Sequence, residues 1–197
     1  MIEFKNIDLK FSNLSIFKDL NFKIKKNEHV CISGASGRGK STLLKMLQGY
    51  IIPDRGVIRI NNLELSDRTV DQVRDSVVWI PQNINLPVNN GKALLELMEL
   101  EHKWETVASI ANKLLLEEKI LSKDFTKISG GQKQRVITAI CLSIEKDIIL
   151  MDEPTAALDA ETIGALLKTL SALPNRTIVS ASHNEKWLRE AGRVISL

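Results

Sequence analysis

Three stretches of this sequence combine glycines, a cation and acids at spacings suited to handling phosphate. The first is "GASGRGKST", Gly34 to Thr42. It matches G-x-x-x-x-G-K-S/T, follows the apolar run "HVCIS" and leads into "KSTLLKML", whose apolar spacing is helical. A strand before and a helix after is the setting in which that pattern works as a phosphate loop. Gly34, Gly37 and Gly39 let the backbone curl, so that amides from Gly34, Ala35, Ser36, Gly37, Arg38 and Gly39 through to Thr42 converge on phosphate oxygens. The helix N-terminus adds the positive end of its dipole. Lys40 then reaches the outer phosphates, and Ser41 offers a hydroxyl to Mg2+. Arg38 is larger than an inner loop position usually holds and is expected to point to solvent. The plain alternative is a glycine-rich turn with a chance lysine.

A phosphate loop needs a carboxylate at the end of a neighbouring strand, and "DIILMDEP" supplies two. Asp152 ends a continuous apolar run and Glu153 comes next, where strand side chains change face. The natural division gives Asp152 to the metal shell and Glu153 to an attacking water as general base. An acidic turn after a buried strand is the competing reading. The third stretch, "KISGGQKQR" from Lys127 to Arg135, carries a second glycine pair far from the first loop. It opens a helical pattern, so Ser129 with the amides of Gly130 and Gly131 forms a second anion-binding helix N-terminus. A simple helix cap by Ser129 is physically sound for that residue alone.

The elements that must position these residues alternate at both ends of the chain. "IEFKNIDLKF" reads as a strand, and "NFKIKKNEHVCIS" as two strand pieces around a turn at Lys26-Asn27. "GVIRINN", "SVVWIP", "DIILMD", "RTIVSAS" and "RVISL" read as further strands, "DIILMD" as one covered on both faces. "KSTLLKMLQG", "GQKQRVITAICLSIEK", "AETIGALLKTLSAL" and "NEKWLREA" read as helices, the first stopping at Gly49. From Lys92 to about Leu121 the pattern turns helical, with Leu94, Leu95, Leu97 and Met98 crowded together. This predicts an α/β sheet core, residues 1–82 and 146–197, with a helical insertion at 83–145.

Composition bounds the rest. With 197 residues, 44% apolar, 26% charged and a net charge of +3, the chain fits one globular domain with a real core. Charges of both signs are mixed, so nucleic acid is not an expected partner. Cys31 and Cys141 lie in apolar segments, which predicts buried free thiols in a reducing cytoplasm. The N-terminus lacks the apolar core of a signal peptide. No run approaches the length needed to cross a bilayer, so any membrane role is expected to come through a partner.

The third stretch resembles the signature motif of the ATP-binding cassette (ABC) ATPases, and the rest of that family's pattern follows in order. Gln82 in "WIPQ" is similar to its Q-loop, Asp159 in "AALD" to its D-loop and His183 in "VSASH" to its H-loop. Phe11 stands where an aromatic that stacks on adenine is expected, a plain core aromatic being the alternative; the family more often carries tyrosine there, and Phe17 and Phe22 lie close in sequence. The resemblance covers the whole chain. It implies a P-loop ATPase core with a mixed sheet, an antiparallel β subdomain and an inserted helical subdomain. It also implies that Ser129, Gly130, Gly131 and Gln132 close on the ATP held by a second copy, head to tail, so that two copies enclose two ATPs with Mg2+. Gln82 would touch the metal and link core to insertion. His183 would orient the attacking water together with Glu153.

The resemblance further implies a cytoplasmic subunit on the inner face of a cell membrane, driving an integral membrane permease. Ile84, Leu86 and Val88 alternate in an otherwise polar loop, which fits a partner surface and fits local core filling equally. The family's usual Thr-Val…Glu-Asn-Leu pattern after the Q-loop is replaced here by "VNNGKALLEL". The sequence stops shortly after His183, so no C-terminal regulatory domain is expected. The alternative is a soluble ABC ATPase clamping DNA or the translation machinery. The short span from Gln82 to Ser129, one cassette and no cysteine cluster disfavour it.

Overall fold

The computed structural model describes residues 1–83 and 85–197. Two sheets carry the molecule. In the first, β1 (Ile2–Phe11) pairs antiparallel with β2 (Leu14–Ile24) and with β4 (Arg55–Ile60), which pairs in turn with β5 (Leu63–Glu64). β1 buries Ile2, Phe4, Ile7 and Leu9, and the step from Phe4 to Ile7 breaks strict alternation. The backbone absorbs it with left-handed Asn6 (φ 51°) and a shift in register between Phe4 and Ile7. Such a bulge keeps one apolar face on the core.

The second sheet has the order β6-β7-β8-β3-β9, where β3 is His29–Ser33, β6 Val77–Ile80, β7 Ile148–Asp152, β8 Thr177–Ala181 and β9 Arg193–Ser196. β3 runs parallel to β8 and β9, and β7 parallel to β8. Every residue of β7 and β8 is buried, as the unbroken apolar run "IILM" requires. Each fully buried Ile, Leu or Met there contributes about 1.5–3 kcal/mol relative to exposure. The carboxyl ends of β3, β7 and β8 lead into "GASGRGK", Glu153 and His183 respectively.

The chain divides into two compact units. One comprises Met1–Val78, Lys146–Glu153 and Asn175–Leu197, with α1 (Lys40–Leu47), α2 (Val70–Asp75) and α7 (Glu185–Glu190). The other comprises Trp79–Glu145 and Pro154–Pro174, with α3 (Gly91–Leu97), α4 (Trp104–Lys113), α5 (Gly130–Ser143) and α6 (Ala160–Ser171). In that second unit, the stretch from Lys92 to Leu121 is not one helix. Asn90 caps α3 by accepting from the Ala93 amide at 2.8 Å. Glu99 and Leu115, both left-handed (φ 57° and 59°), follow α3 and α4, and short 3-10 turns at Glu101–Lys103 and Glu118–Ser122 follow those. Left-handed residues close a helix by turning its last amides back on its own carbonyls: Leu100 N reaches Leu95 O, and Leu116 N reaches Ala111 O, both at 2.9 Å.

Candidate active site and a second anion-binding helix end

The phosphate loop runs from the end of β3 into the first turn of α1. Gly39 sits at φ 92°, and a Cβ there would lie 2.7 Å from Ile16 Cγ2 and 2.8 Å from Phe17 Cζ. Only glycine meets both demands, backbone and packing. Ala35, Ser36, Gly37 and Arg38 are exposed and Gly34, Ser41 and Thr42 half-buried, so Arg38 faces solvent as expected.

Lys40 is 9% exposed. Its Nζ donates to its own loop, to Gly34 O at 2.9 Å and Ala35 O at 3.3 Å, and lies 3.7 Å from Glu153 Oε1. The ammonium is thus paired by groups that a phosphate can replace. The Ser41 hydroxyl donates to Asp152 Oδ1 at 3.0 Å. Burial pushes the Asp152 carboxyl above its usual range, with the Ser41 hydrogen bond working against that shift and the Glu153 charge adding to it. A desolvated carboxylate beside a hydroxyl is a hard oxygen pair of the type that holds Mg2+ alongside phosphate oxygens.

Glu153 is the junction of the cluster. Its backbone is left-handed, at φ 46°, unusual for a residue other than Gly, Asn or Asp. The turn carries its carboxyl out of the strand direction. His183 Nδ1 lies 3.1 Å from both carboxylate oxygens. The hydrogen-bond geometry is satisfied at Oε1, whereas Oε2 is buried and has no hydrogen-bond partner. A buried carboxylate oxygen without a hydrogen-bond partner keeps unused acceptor capacity.

Sequence reasoning did not anticipate the support behind His183. Asn184 caps α7, its side chain accepting from Trp187 N at 3.0 Å, while its own amide donates to Ser182 Oγ at 3.2 Å. Trp187 is wholly buried and donates from Nε1 to Ser180 Oγ at 2.9 Å. Bonds on both flanks hold the His183 backbone. An Asn three residues before a Trp, directly after a strand, was the signal available.

Phe11 ends β1 opposite Leu14 and is 46% exposed. Its neighbours in sequence are committed elsewhere. Phe17 is 5% exposed beneath Gly39, and Phe22 stacks on Phe4 with centroids 4.5 Å apart. Cys31, fully buried on β3, has its thiol pushed up by burial, and burial pushes Cys141 up to about 12. Neither thiol is activated.

Gln82 and Asp159 are exposed in the second unit. Asp159 caps α6 by accepting from Thr162 N at 2.8 Å. That hydrogen bond, with the Arg135 charge as a lesser contributor, holds its carboxyl below the usual range. Leu86 and Val88 are half-buried, and Ile84 lies outside the described residues. Ser129 makes a full capping box: its Oγ accepts from Gln132 N at 3.1 Å, and its own amide donates to Gln132 Oε1 at 3.0 Å. The amides of Gly130 and Gly131 have no hydrogen-bond partner among the described residues. A Cβ on Gly130 would meet nothing within 4 Å. Cap and anion site are therefore compatible: the cap uses two of the first four amides and leaves the two between them.

A strand-loop-helix phosphate cradle, backed by two acids and a histidine at the ends of parallel strands, defines a P-loop ATPase. Known proteins narrow this. The family model for the ABC transporter matches residues 17–156. The chain is 31% identical over 206 residues to the energy-coupling factor transporter ATP-binding protein EcfA1 of Ureaplasma parvum, covering 98% of this chain and 70% of the relative. It is 32% identical over 210 residues to the glutamine transport ATP-binding protein GlnQ of Bacillus subtilis, covering 99% and 86%. The dimeric ATP-binding cassette MJ0796, in a post-hydrolysis state with ADP and Pi, superposes with a TM-score of 0.89 at 29% identity, over 100% of this chain and 94% of that one. The chain belongs to the ABC transporter family, and its fold is the ABC-type ATPase cassette. No helix among the described residues is long and apolar enough to cross a membrane.

Proposed function

We propose that this chain is the ATP-binding subunit of a membrane transporter, hydrolysing ATP between two head-to-tail copies to drive a separate permease. The observation that carries the reading is the convergence of Lys40, Ser41, Asp152, Glu153 and His183 through contacts of 3.0–3.7 Å. Lys40 turns from its loop carbonyls to the outer phosphates. Ser41 and Asp152 would hold Mg2+, with Gln82 as a further candidate ligand; the ion would supply charge neutralisation on the phosphate oxygens. Glu153 takes the proton of the attacking water on Oε2, and His183 keeps that carboxylate in place and orients the water. Phe11 stacks on the adenine. Ser129 with the amides of Gly130 and Gly131 grips the outer phosphate of the ATP held by the other copy, Gln132 maintains the cap, and Asp159 lines the same face.

The transporter reading rests on relatives of that role, and the membrane partner is a permease bound on the cytoplasmic side. Loss of the shared phosphate releases the grip, which is how hydrolysis shifts the pair between two states.

The test is the oligomeric state of Glu153→Gln with ATP, with ADP and without nucleotide. Light scattering during size-exclusion chromatography is expected to show a dimer with ATP alone. Ser129→Arg added to it should return a monomer that still carries ATP. A double mutant that loses ATP as a monomer would place the Ser129 segment at its own nucleotide and refute the head-to-tail arrangement.

A further inference from the structure

The two adjacent glycines of the signature stretch have opposite surroundings. Gly130 opens onto empty space, whereas a Cβ on Gly131 would lie 2.4 Å from Ala157 O. The first turn of α5 is therefore pressed against the backbone of residues 154–159. A second contact holds the same two segments. Gln134 is 7% exposed, buried among the apolar residues of α5, and its Nε2 donates to Pro154 O at 3.2 Å. Arg135 braces the turn from its other side, donating from Nη1 to Leu114 O and Leu115 O, each at 3.0 Å, and from Nε to Gly131 O at 3.3 Å. Its charge also acts on Asp159. All of these residues lie in one compact unit.

We infer that Gln134 is a positioning residue that fixes the 154–159 loop to the first turn of α5, so that the Ser129–Gly131 amides and Asp159 are presented to a second copy as one rigid face. A buried glutamine in a helix core is otherwise unfavourable, and an apolar residue of its size would pack there without needing a partner. What glutamine adds is a directed bond to one carbonyl. That carbonyl belongs to the residue after Glu153 in the chain, so the loop that carries Asp159 begins one peptide bond from Glu153. The inference rests on the head-to-tail reading above.

The experiment compares Glu153→Gln with Glu153→Gln/Gln134→Met. Methionine matches the length of glutamine but lacks the donor and strands the Pro154 carbonyl. Two quantities are read: ATP affinity of the monomer, by a fluorescent ATP analogue at low protein concentration, and the ATP-dependent dimer dissociation constant, by analytical ultracentrifugation. The expected result is monomer affinity unchanged within about twofold and dimerisation weakened about 10-fold or more, because a loop no longer fixed in the monomer must be ordered when the copies meet. Gln134→Leu, which removes the same donor with a shorter apolar side chain, should weaken the dimer in the same way and does not depend on how Met packs. Dimerisation unchanged in both variants would overturn the inference while leaving the head-to-tail reading intact. Loss of monomer ATP affinity in parallel with dimerisation would show general unfolding and would also overturn it. A Glu153→Gln parent that fails to dimerise refutes the head-to-tail reading itself, and the inference with it.

Discussion

Glu153→Gln separates chemistry from binding because the two properties use different features of one side chain. The amide keeps the volume and offers Oε1 to the His183 contact, but it removes the charge and the carboxylate oxygen that stands buried without a hydrogen-bond partner, the atom proposed above as proton acceptor. Loss of a general base costs about 10²–10⁴ in rate, or roughly 3–5 kcal/mol of barrier. Binding should move the other way. Glu153 lies 3.7 Å from the Lys40 ammonium, both side chains about nine-tenths buried. A pair at that range attracts by about 4 kcal/mol at an effective dielectric near 20. Some of that attraction competes with phosphate for the same cation, and the carboxylate also repels phosphate directly. The variant should therefore bind ATP at least as tightly as the native protein. Single-turnover phosphate release gives the rate, and equilibrium dialysis with ATP gives the affinity. A rate within 10-fold of native would remove Glu153 from the role of base, and a parallel fall in affinity would show it to be a structural member of the loop.

Phe11→Ala should weaken ATP binding by about 1–3 kcal/mol, taking base–aromatic stacking on single strands as the guide, with Tm nearly unchanged because the ring is 46% exposed; a Tm loss at constant affinity would make it a packing residue. Gly39→Ala combines a left-handed backbone, about 1–2 kcal/mol, with overpacking against Ile16 and Phe17, about 1–3 kcal/mol. Calorimetry should show Tm lower by roughly 5–15 °C. Burial holds the His29 imidazole below its ordinary pKa, so the unfolded chain takes up its proton first as pH falls. The His29 contribution to stability is full above about pH 6.5 and is lost as pH falls through the depressed value. His29→Gln should flatten the slope of Tm against pH below about pH 6.5, and an unchanged slope would exclude His29 as its source.

Much of the fold is legible in the sequence because buried strands and helix caps leave strong local marks. "IILM" is typical of a strand covered twice, and Gly34–Thr42 carries its own context. What stays hidden has weak local signals. β2 begins ten residues before Ile24, but its buried positions are few, so only its second half alternates visibly. α2 buries Val73 alone, so "VDQVRD" carries no apolar stripe to mark it as a helix. The breaks at Glu99 and Leu115 place ordinary residues in left-handed conformations, a state imposed by tertiary packing that no glycine announces. At the site, residue types and order are legible, but the Glu153–His183 contact is not. It joins side chains thirty positions apart through a left-handed turn that only the folded sheet fixes.

The placement of β3 between β8 and β9 has a consequence for how the protein comes to exist. The strand that delivers the phosphate loop emerges long before its neighbours: among the described residues it bonds to β8 and β9, which begin more than 140 residues further on. At about 5–20 residues per second, residues 29–33 wait several seconds, at least, for His29 and Val30 to meet Ile178 and Val179. During that time "HVCIS" is an apolar segment with both edges unsatisfied, the type of strand that pairs with whatever is near. A ribosome stalled before Thr177 thus releases a product with the loop sequence intact and no sheet to hold it. Nucleotide cannot rescue such a fragment, because His183 and the neighbours of β3 are still missing. Competence arrives only once β8 and β9 have both been made, and the nascent chain depends until then on whatever shields its third strand.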